Sequence, residues 1–292
     1  MERIAVIGLG AMGAPIAHRL LGQGCQVTGW NRSPRRAAAL REAGGAVGVS
    51  PADAVRGAEA VLVMVTGPQA LLAVTEGEHG IAAGIDPGAV VVQMSTVSPS
   101  SLTRLAQALP AGTGLLDAPV LGSVAEAASG ALRILAGGPP ELVERCLPLL
   151  TRLGSPLRVG ELGAGTAAKL VANNALFGVL GVLGESLALG GALGLSWEVL
   201  HEVLGVTPLA EQAARRRPVI EADDYPARFA LALARKDADL VADAVGDAGL
   251  TLGLTAASRD WLAAAEGAGR ADQDYTAVLA AILHAAGKEP RR

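Results

Sequence analysis

Aromatic side chains are scarce in this chain: two Phe, two Tyr and three Trp make up 2% of 292 residues, so the core has to be packed from aliphatic side chains. Dense basic runs are missing too. A net charge of -4, a pI near 5.6 and no interleaved basic and aromatic platform argue against nucleic acid as a partner. The terminal Lys288, Arg291 and Arg292 are too few to change that. The cysteines, Cys25 and Cys146, stand alone without metal-ligand spacing, which fits a reducing cytoplasm and argues against a disulfide. His18, His79, His201 and His284 lack metal spacing as well; they read as surface or core side chains, and no metal is expected. Where a signal peptide would place a basic segment and an apolar helix, residues 1–8 read as a buried strand. The most apolar stretch, residues 164–193, is interrupted by polar side chains. Its longest run without them, residues 175–184, is about half of the roughly 20 residues a membrane span needs, so a soluble chain with no membrane partner is expected.

What is present is an aliphatic chain, 51% hydrophobic and long enough for two domains. Residues 4–7 form an apolar strand pattern, followed by Gly8-Leu9-Gly10-Ala11-Met12-Gly13 and a helical pattern over 14–23. This is G-x-G-x-x-G with a strand before it and a helix after it, the context in which glycines let backbone N–H groups and a helix N-terminus meet a pyrophosphate. The alternative is a tight strand-to-helix turn with no ligand. A second strand, 26–30, runs into Asn31-Arg32-Ser33-Pro34-Arg35-Arg36, basic and hydroxylic where an acidic residue would select NAD. NADP(H) is therefore favoured and NAD(H) remains open, since Arg35 and Arg36 also suit the solvated first turn of the next helix.

The alternation continues. Residues 50–56 read as a helix with Ser50 as N-cap and Pro51 at its first position. Strands over 60–65 and 89–93 lead into Met64-Val65-Thr66 and Met94-Ser95-Thr96, ends expected to open on the cofactor crevice, with Thr66 and Thr96 as candidate contacts. Strands at 114–117, 132–136 and 157–159 follow, with Gly122 and Ser123 in a loop able to offer N–H groups and a hydroxyl to an anion. From about Leu162 the pattern is helical: 163–193, 196–204 with Ser196 as N-cap, 209–217, 230–248, 254–267 and 274–286, the last capped by Asp272 and Asp274.

Within the first of these helices Gly165, Lys169 and Asn173 recur every four residues and share one drifting stripe. A cation in such apolar surroundings needs a partner or a lowered pKa, and either suits proton transfer near neutral pH. The bland alternative is a lysine that reaches solvent along the helix.

The glycine-rich turn, Asn31-Arg32-Ser33, Ser95-Thr96, Asp117-Ala118-Pro119-Val120, Gly137-Gly138, residues 165–173 and Lys236-Asp237 together resemble the ordered motif set of the β-hydroxyacid dehydrogenases. That family includes 3-hydroxyisobutyrate dehydrogenase, tartronate semialdehyde reductase and the glyoxylate/succinic semialdehyde reductases. The resemblance implies an α/β Rossmann domain, residues 1–161, followed by an all-α C-terminal domain, residues 162–292, joined through a long interdomain helix, with the catalytic site between them. It implies Lys169 as general acid and base, and Asn173, Thr96, Gly122 and Ser123 as substrate contacts, the last three for the substrate carboxylate. Gly8, Leu9, Gly10, Ala11, Met12, Gly13, Asn31, Arg32, Ser33, Met64, Val65, Thr66, Thr96 and Lys236 are implied at the cofactor. It also implies a homodimer or homotetramer. Without the resemblance, Lys236-Asp237-Ala238-Asp239 reads as an exposed, charged helix face.

One position departs from the pattern. The family usually reads Asp-Ala-Pro-Val-Ser-Gly, and this chain has Leu121 where that serine belongs. Ser123, two residues on in an extended loop, would point the same way and could supply a substitute hydroxyl. The expected activity is hydride transfer between NADP(H) and a small β-hydroxyacid, semialdehyde or glyoxylate-type substrate carrying a carboxylate. Imine reduction is one alternative, disfavoured by Lys169. A non-catalytic NADP-binding protein, suggested by Leu121, is the other.

Overall fold

The computed structural model describes residues 1–287, so Lys288, Arg291 and Arg292 lie outside the described residues. The chain divides into two compact units, Met1–Lys169 and Leu170–Arg292.

The first unit is a doubly wound sheet. Strands β1 (Arg3–Ile7), β2 (Gln26–Trp30), β3 (Ala46–Val47), β4 (Ala60–Val63), β5 (Val90–Gln93) and β6 (Gly114–Asp117) are parallel, in the order β3-β2-β1-β4-β5-β6. Beyond β6 come β8 (Leu132–Gly137), antiparallel to it, with the short β7 (Val120–Leu121) and the parallel β9 (Gly154–Gly160) as its other partners. The strands are continuous apolar runs because both faces are covered. Ile4, Val6, Leu62, Val92 and Leu116 point to one side, against α1 (Gly13–Gly22), α2 (Pro34–Glu42), α7 (Val124–Ser129) and α8 (Pro140–Leu153). Ala5, Ile7, Val61, Val63 and Val91 point to the other, against α3 (Pro51–Val55), α4 (Pro68–Thr75), α5 (Ile81–Gly84) and α6 (Pro99–Ala108).

The second unit is helical: most of α9 (Ala164–Ala192), then α10 (Trp197–Leu204), α11 (Ala210–Ala222), α12 (Leu231–Asp247), α13 (Gly253–Ala265) and α14 (Val278–Ala285). Phe177, Leu180, Leu183, Leu187 and Ala188 recur at helical spacing and bury one side of α9 among Leu200, Leu231, Leu262 and Ile282. By length and composition α9 is apolar enough to cross a membrane, and half of that window is buried inside the structure. Val171, Val182 and Leu189 are nonetheless exposed, so the helix is less enclosed than its composition implies.

Several local expectations hold. Ser50 and Ser196 cap α3 and α10 through the N–H groups of Asp53 and Val199. Asp274 caps the short turn Tyr275–Ala277 that leads into α14, accepting from Thr276 N–H; no such bond is found for Asp272 among the described residues. The strand expected over 60–65 stops at Val63, and the helix expected to end at Arg217 runs to Ala222 through Pro218. Pro218 is exposed, so the ring faces solvent and the helix loses one N–H bond without being broken.

Candidate cofactor and active site

The glycine-rich turn leaves the carboxyl end of β1 and enters α1 at Gly13. A Cβ at Gly8, where φ is +100°, would sit 2.2 Å from Met64 O, and one at Gly13 would sit 1.8 Å from Gly8 O. Those two glycines let backbone pack on backbone. Gly10 differs: the nearest group to its Cβ position is the Arg36 guanidinium, at 3.6 Å, so its outer face is open for a ligand to approach. These roles match what a dinucleotide pyrophosphate requires of such a turn. The Asn31 carboxamide braces it, accepting from Leu9 N–H at 3.0 Å and donating to Ser33 O at 3.2 Å. The turn itself thus exposes Ala11 and half-exposes Met12, while Arg32 and Ser33 are exposed at the end of β2. Ser33 sits at the N-cap position of α2 without capping it. Arg36 could not be selected over Arg35 from sequence, because its position against Gly10 depends on where α2 packs.

The next two strands end beside one another. Ser95 Oγ accepts from Val65 N–H at 2.8 Å and donates to Val63 O, and the Gln93 carboxamide bonds both the N–H and the carbonyl of Ser95. This stitching fixes the carboxyl ends of β4 and β5. Met64, Val65, exposed Thr66 and half-buried Thr96 follow directly, at the edge where ligands of such sheets bind.

The loop at residues 118–126 is organised differently from the expectation. Gly122 takes φ of +133°, and Ser123 starts α7. The Glu126 carboxylate accepts both the Ser123 N–H, at 2.7 Å, and the Ser123 hydroxyl, at 2.5 Å. Ser123 is therefore first a helix-start residue, and Leu121 is half-buried on β7.

On α9 the stripe carries two buried members, Gly165 and Asn173, with Lys169 half-buried between them. Lys169 is the only basic residue of the helix. Gly165 presses on the strands: its Cβ position lies 2.4 Å from Asp117 O and 2.4 Å from Leu135 O. In the second unit Asn173 Nδ2 donates to Asp237 Oδ2 at 2.9 Å, and Lys236 Nζ pairs with Asp237 Oδ1 at 2.5 Å. Asp237 is only 3% exposed, which overturns the reading of residues 236–239 as a solvated face. Asp237 is the residue that sequence reasoning missed here; its adjacency to Lys236 was the available signal.

Residues 3–163 match the family described as the NAD binding domain of 6-phosphogluconate dehydrogenase, and residues 163–282 match the NAD-binding family of NADP-dependent 3-hydroxyisobutyrate dehydrogenase. Across 98% of both chains, the sequence is 33% identical to a 3-sulfolactaldehyde reductase of Escherichia coli. It is 31% identical to a chloroplastic glyoxylate/succinic semialdehyde reductase of Arabidopsis thaliana, over 98% of this chain and 81% of that one. The solved structure of Mycobacterium tuberculosis 3-hydroxyisobutyrate dehydrogenase with L-serine superposes with a TM-score of 0.87 at 30% identity, covering 96% of this chain and 98% of that one. The chain belongs to the β-hydroxyacid dehydrogenase family and is an NAD(P)-dependent oxidoreductase acting in the hydroxyacid and semialdehyde class.

Proposed function

We propose that the protein is an NADP-preferring reductase and dehydrogenase that interconverts a small, carboxylate-bearing β-hydroxyacid and its semialdehyde, or a glyoxylate-type pair, with Lys169 as general acid and base. The observation that carries this reading is Lys169 itself. It is a half-buried cation, the sole basic group on an apolar 29-residue helix, and it lies in the same compact unit as the glycine-rich turn.

The residues present fit a nicotinamide dinucleotide, since the open face at Gly10 and the close-packed Gly8 and Gly13 divide the turn's tasks as that ligand needs. When bound, the nicotinamide supplies or takes up the hydride. The protein's part is to orient and to move a proton. In reduction the Lys169 ammonium donates its proton to the developing alkoxide oxygen; in oxidation the neutral amine removes the hydroxyl proton. Asn173, whose Nδ2 donates to Asp237, keeps its Oδ1 for a substrate hydroxyl, and Lys236 pairs with the same carboxylate. Thr96, Gly122 and Ser123 serve the substrate carboxylate. For Ser123 this exchanges one carboxylate acceptor, that of Glu126, for another.

Arg32, Ser33 and Arg36, with no acid at the end of β2, support NADP over NAD. Arg36→Ala is expected to weaken NADPH by about tenfold, the value of one charged hydrogen bond, and to leave NADH unchanged. The cytoplasm and a homodimer or homotetramer complete the proposal; exposed Val171, Leu189, Val199 and Val203 on α9 and α10 support self-association. The deciding experiment is a panel with NADPH and NADH against glyoxylate, succinic, methylmalonate and tartronate semialdehydes, and cyclic imines. Turnover of an aldehyde that is lost in Lys169→Ala supports the reading. Turnover of imines alone, or tight NADPH binding without turnover, replaces it.

A further inference from the structure

Asp117, the last residue of β6, is completely buried and has no part in the reaction as described so far. Its carboxylate accepts the N–H of Gly163 at 2.9 Å and the N–H of Thr166 at 2.6 Å, two groups at the start of α9. Backbone N–H groups at a helix start have no partner within the helix and must find one outside it. At α3, α6 and α10 this chain meets that need with a serine next to the helix, Ser50, Ser98 and Ser196. For α9 it uses a buried carboxylate 49 residues away on a central strand. Burying an anion is costly, and burial pushes this carboxyl above its ordinary range despite the N–H groups that favour its charge. The surrounding backbone is also drawn in tightly. A Cβ at Gly137 would lie 2.3 Å from Asp117 Oδ1, and one at Gly165 would lie 3.0 Å from Oδ2.

We propose that Asp117 is a positioning residue for Lys169: by gripping the first turn of α9 from the end of β6, its carboxylate fixes the rotation and height of the helix and so the place of the amine one turn further on. The inference rests on Lys169 being the proton donor. Lys169 lies three positions beyond Thr166, about 4.5 Å along the helix axis, so a slip of the first turn by about 1 Å carries the amine about as far. Displacement of that size is costly, since a misplacement of about 1 Å can lower turnover about 100-fold. Charged groups on the elements around the carboxylate are Arg133 on β8, Glu141, Glu144, Arg145 and Arg152 on α8, Arg158 on β9, Glu161 after it and Lys169 itself. Arg158 and Glu161 pair with each other at 2.5 Å.

The test compares Asp117→Asn, Gly165→Ala and Lys169→Ala with the parent chain. It uses the aldehyde turned over fastest, with kcat, KM and the pH dependence of kcat measured beside NADPH affinity by fluorescence titration. Asp117→Asn is expected to lower kcat about 100-fold, hold NADPH affinity within about threefold, and move the alkaline limb of reduction to lower pH, because an anion beside the helix start is lost. Gly165→Ala keeps the carboxylate but forces the helix start off the strands, so kcat falls while the limb stays in place. Asp117→Asn with kcat within about threefold of the parent, beside an inactive Lys169→Ala, overturns the positioning role alone. An active Lys169→Ala overturns the proton-donor reading and the positioning role with it. Should Asp117→Asn fail to fold, unchanged kcat in Gly165→Ala overturns the inference by itself.

Discussion

The two units hold their buried polar groups by different means. In the first, side chains address the backbone: Asn31 holds Leu9 N–H, Ser95 holds Val65 N–H, Gln93 bonds both main-chain groups of Ser95, and Asp117 holds Gly163 and Thr166. In the second, side chains address side chains: Asn173 with Asp237, Asp237 with Lys236, Thr255 with Asn174, and Arg216 with the Tyr275 hydroxyl. Asp274, bonding the N–H groups of Arg228, Phe229 and Thr276, and Ser258, donating to Leu254 O, are exceptions. A parallel sheet ends in main-chain groups that need partners, whereas helices satisfy their own except at their ends, so much of the pattern follows from the secondary structure. The consequence is a rigid ledge of backbone in the first unit and a set of exchangeable polar contacts in the second.

Lys169 stands on the helix the two units share, at the last residue of the first, and its removal is expected to have the largest effect. Lys169→Ala should lower kcat by roughly 100- to 10,000-fold, the range of a general acid, with NADPH affinity close to that of the parent. Steady-state kinetics with fluorescence titration of NADPH measures both. A loss confined to KM would mean that the amine binds substrate without transferring a proton.

Next in size is a pair of substitutions that asks whether the ledge is as rigid as its contacts suggest. Gly13→Ala places a methyl 1.8 Å from Gly8 O, a collision with backbone that cannot rotate away. Destabilisation of about 1–3 kcal/mol is expected in urea denaturation, together with loss of nucleotide binding. Gly10→Ala meets only the Arg36 side chain, at 3.6 Å, so stability should hold while NADPH binding weakens. Equal loss of stability in both variants would dissolve the distinction between packing glycines and the ligand-facing one.

The side-chain network is probed by Asp237→Asn, which keeps the shape and removes the charge that Lys236 pairs with. A loss of about 1–3 kcal/mol is expected for weakening the charged hydrogen bonds of the buried Asp237 side chain, read from the urea midpoint. Because the amide keeps one neutral oxygen where the carboxylate had two charged ones, Asn173 is held less firmly, and KM for substrate should rise more than kcat falls. A variant with parental stability and KM would show that the second unit tolerates rearrangement of these contacts.

The contrast also explains what could be read in the sequence. The glycine-rich turn and the strand ends at Thr66 and Thr96 are written in local spacing, so their place followed from the motif and the strand it terminates. Helices α4, α6 and α8, over residues 68–75, 99–108 and 140–153, open on Pro68, Pro99 and Pro140, the same first-position signal as Pro51. Asp117 and Asp237 stand inside recognisable motifs, but their roles are not legible there, because their partners lie 49 and 64 residues away and only the fold brings them together. Ser123 reads from spacing alone as an available hydroxyl, whereas Glu126, three residues on, is the other half of a capping box and takes that hydroxyl in the fold.

The smallest expected effect concerns His201, buried on α10 against Trp197 with its Nε2 unpartnered. Burial first, then the charge of Arg217, hold the imidazole below its usual pKa, while Glu221 and Glu198 pull the other way. A histidine depressed in the folded state favours the neutral form there. Its stabilising contribution is present above the unfolded value of about 6.5 and is lost as pH falls through the folded value. Between pH 7 and 5.5 ordinary carboxylates are already ionised, so this imidazole should govern the slope contributed by the second unit. The parent chain should lose stability over that interval by under about 1 kcal/mol, and His201→Phe, which keeps a ring beside Trp197, should lack that loss. Urea denaturation at a series of pH values reads the difference. Parallel slopes in the two proteins would mean that the helical unit accommodates the proton without cost, and that its polar contacts rearrange more freely than the ledge formed by β4 and β5.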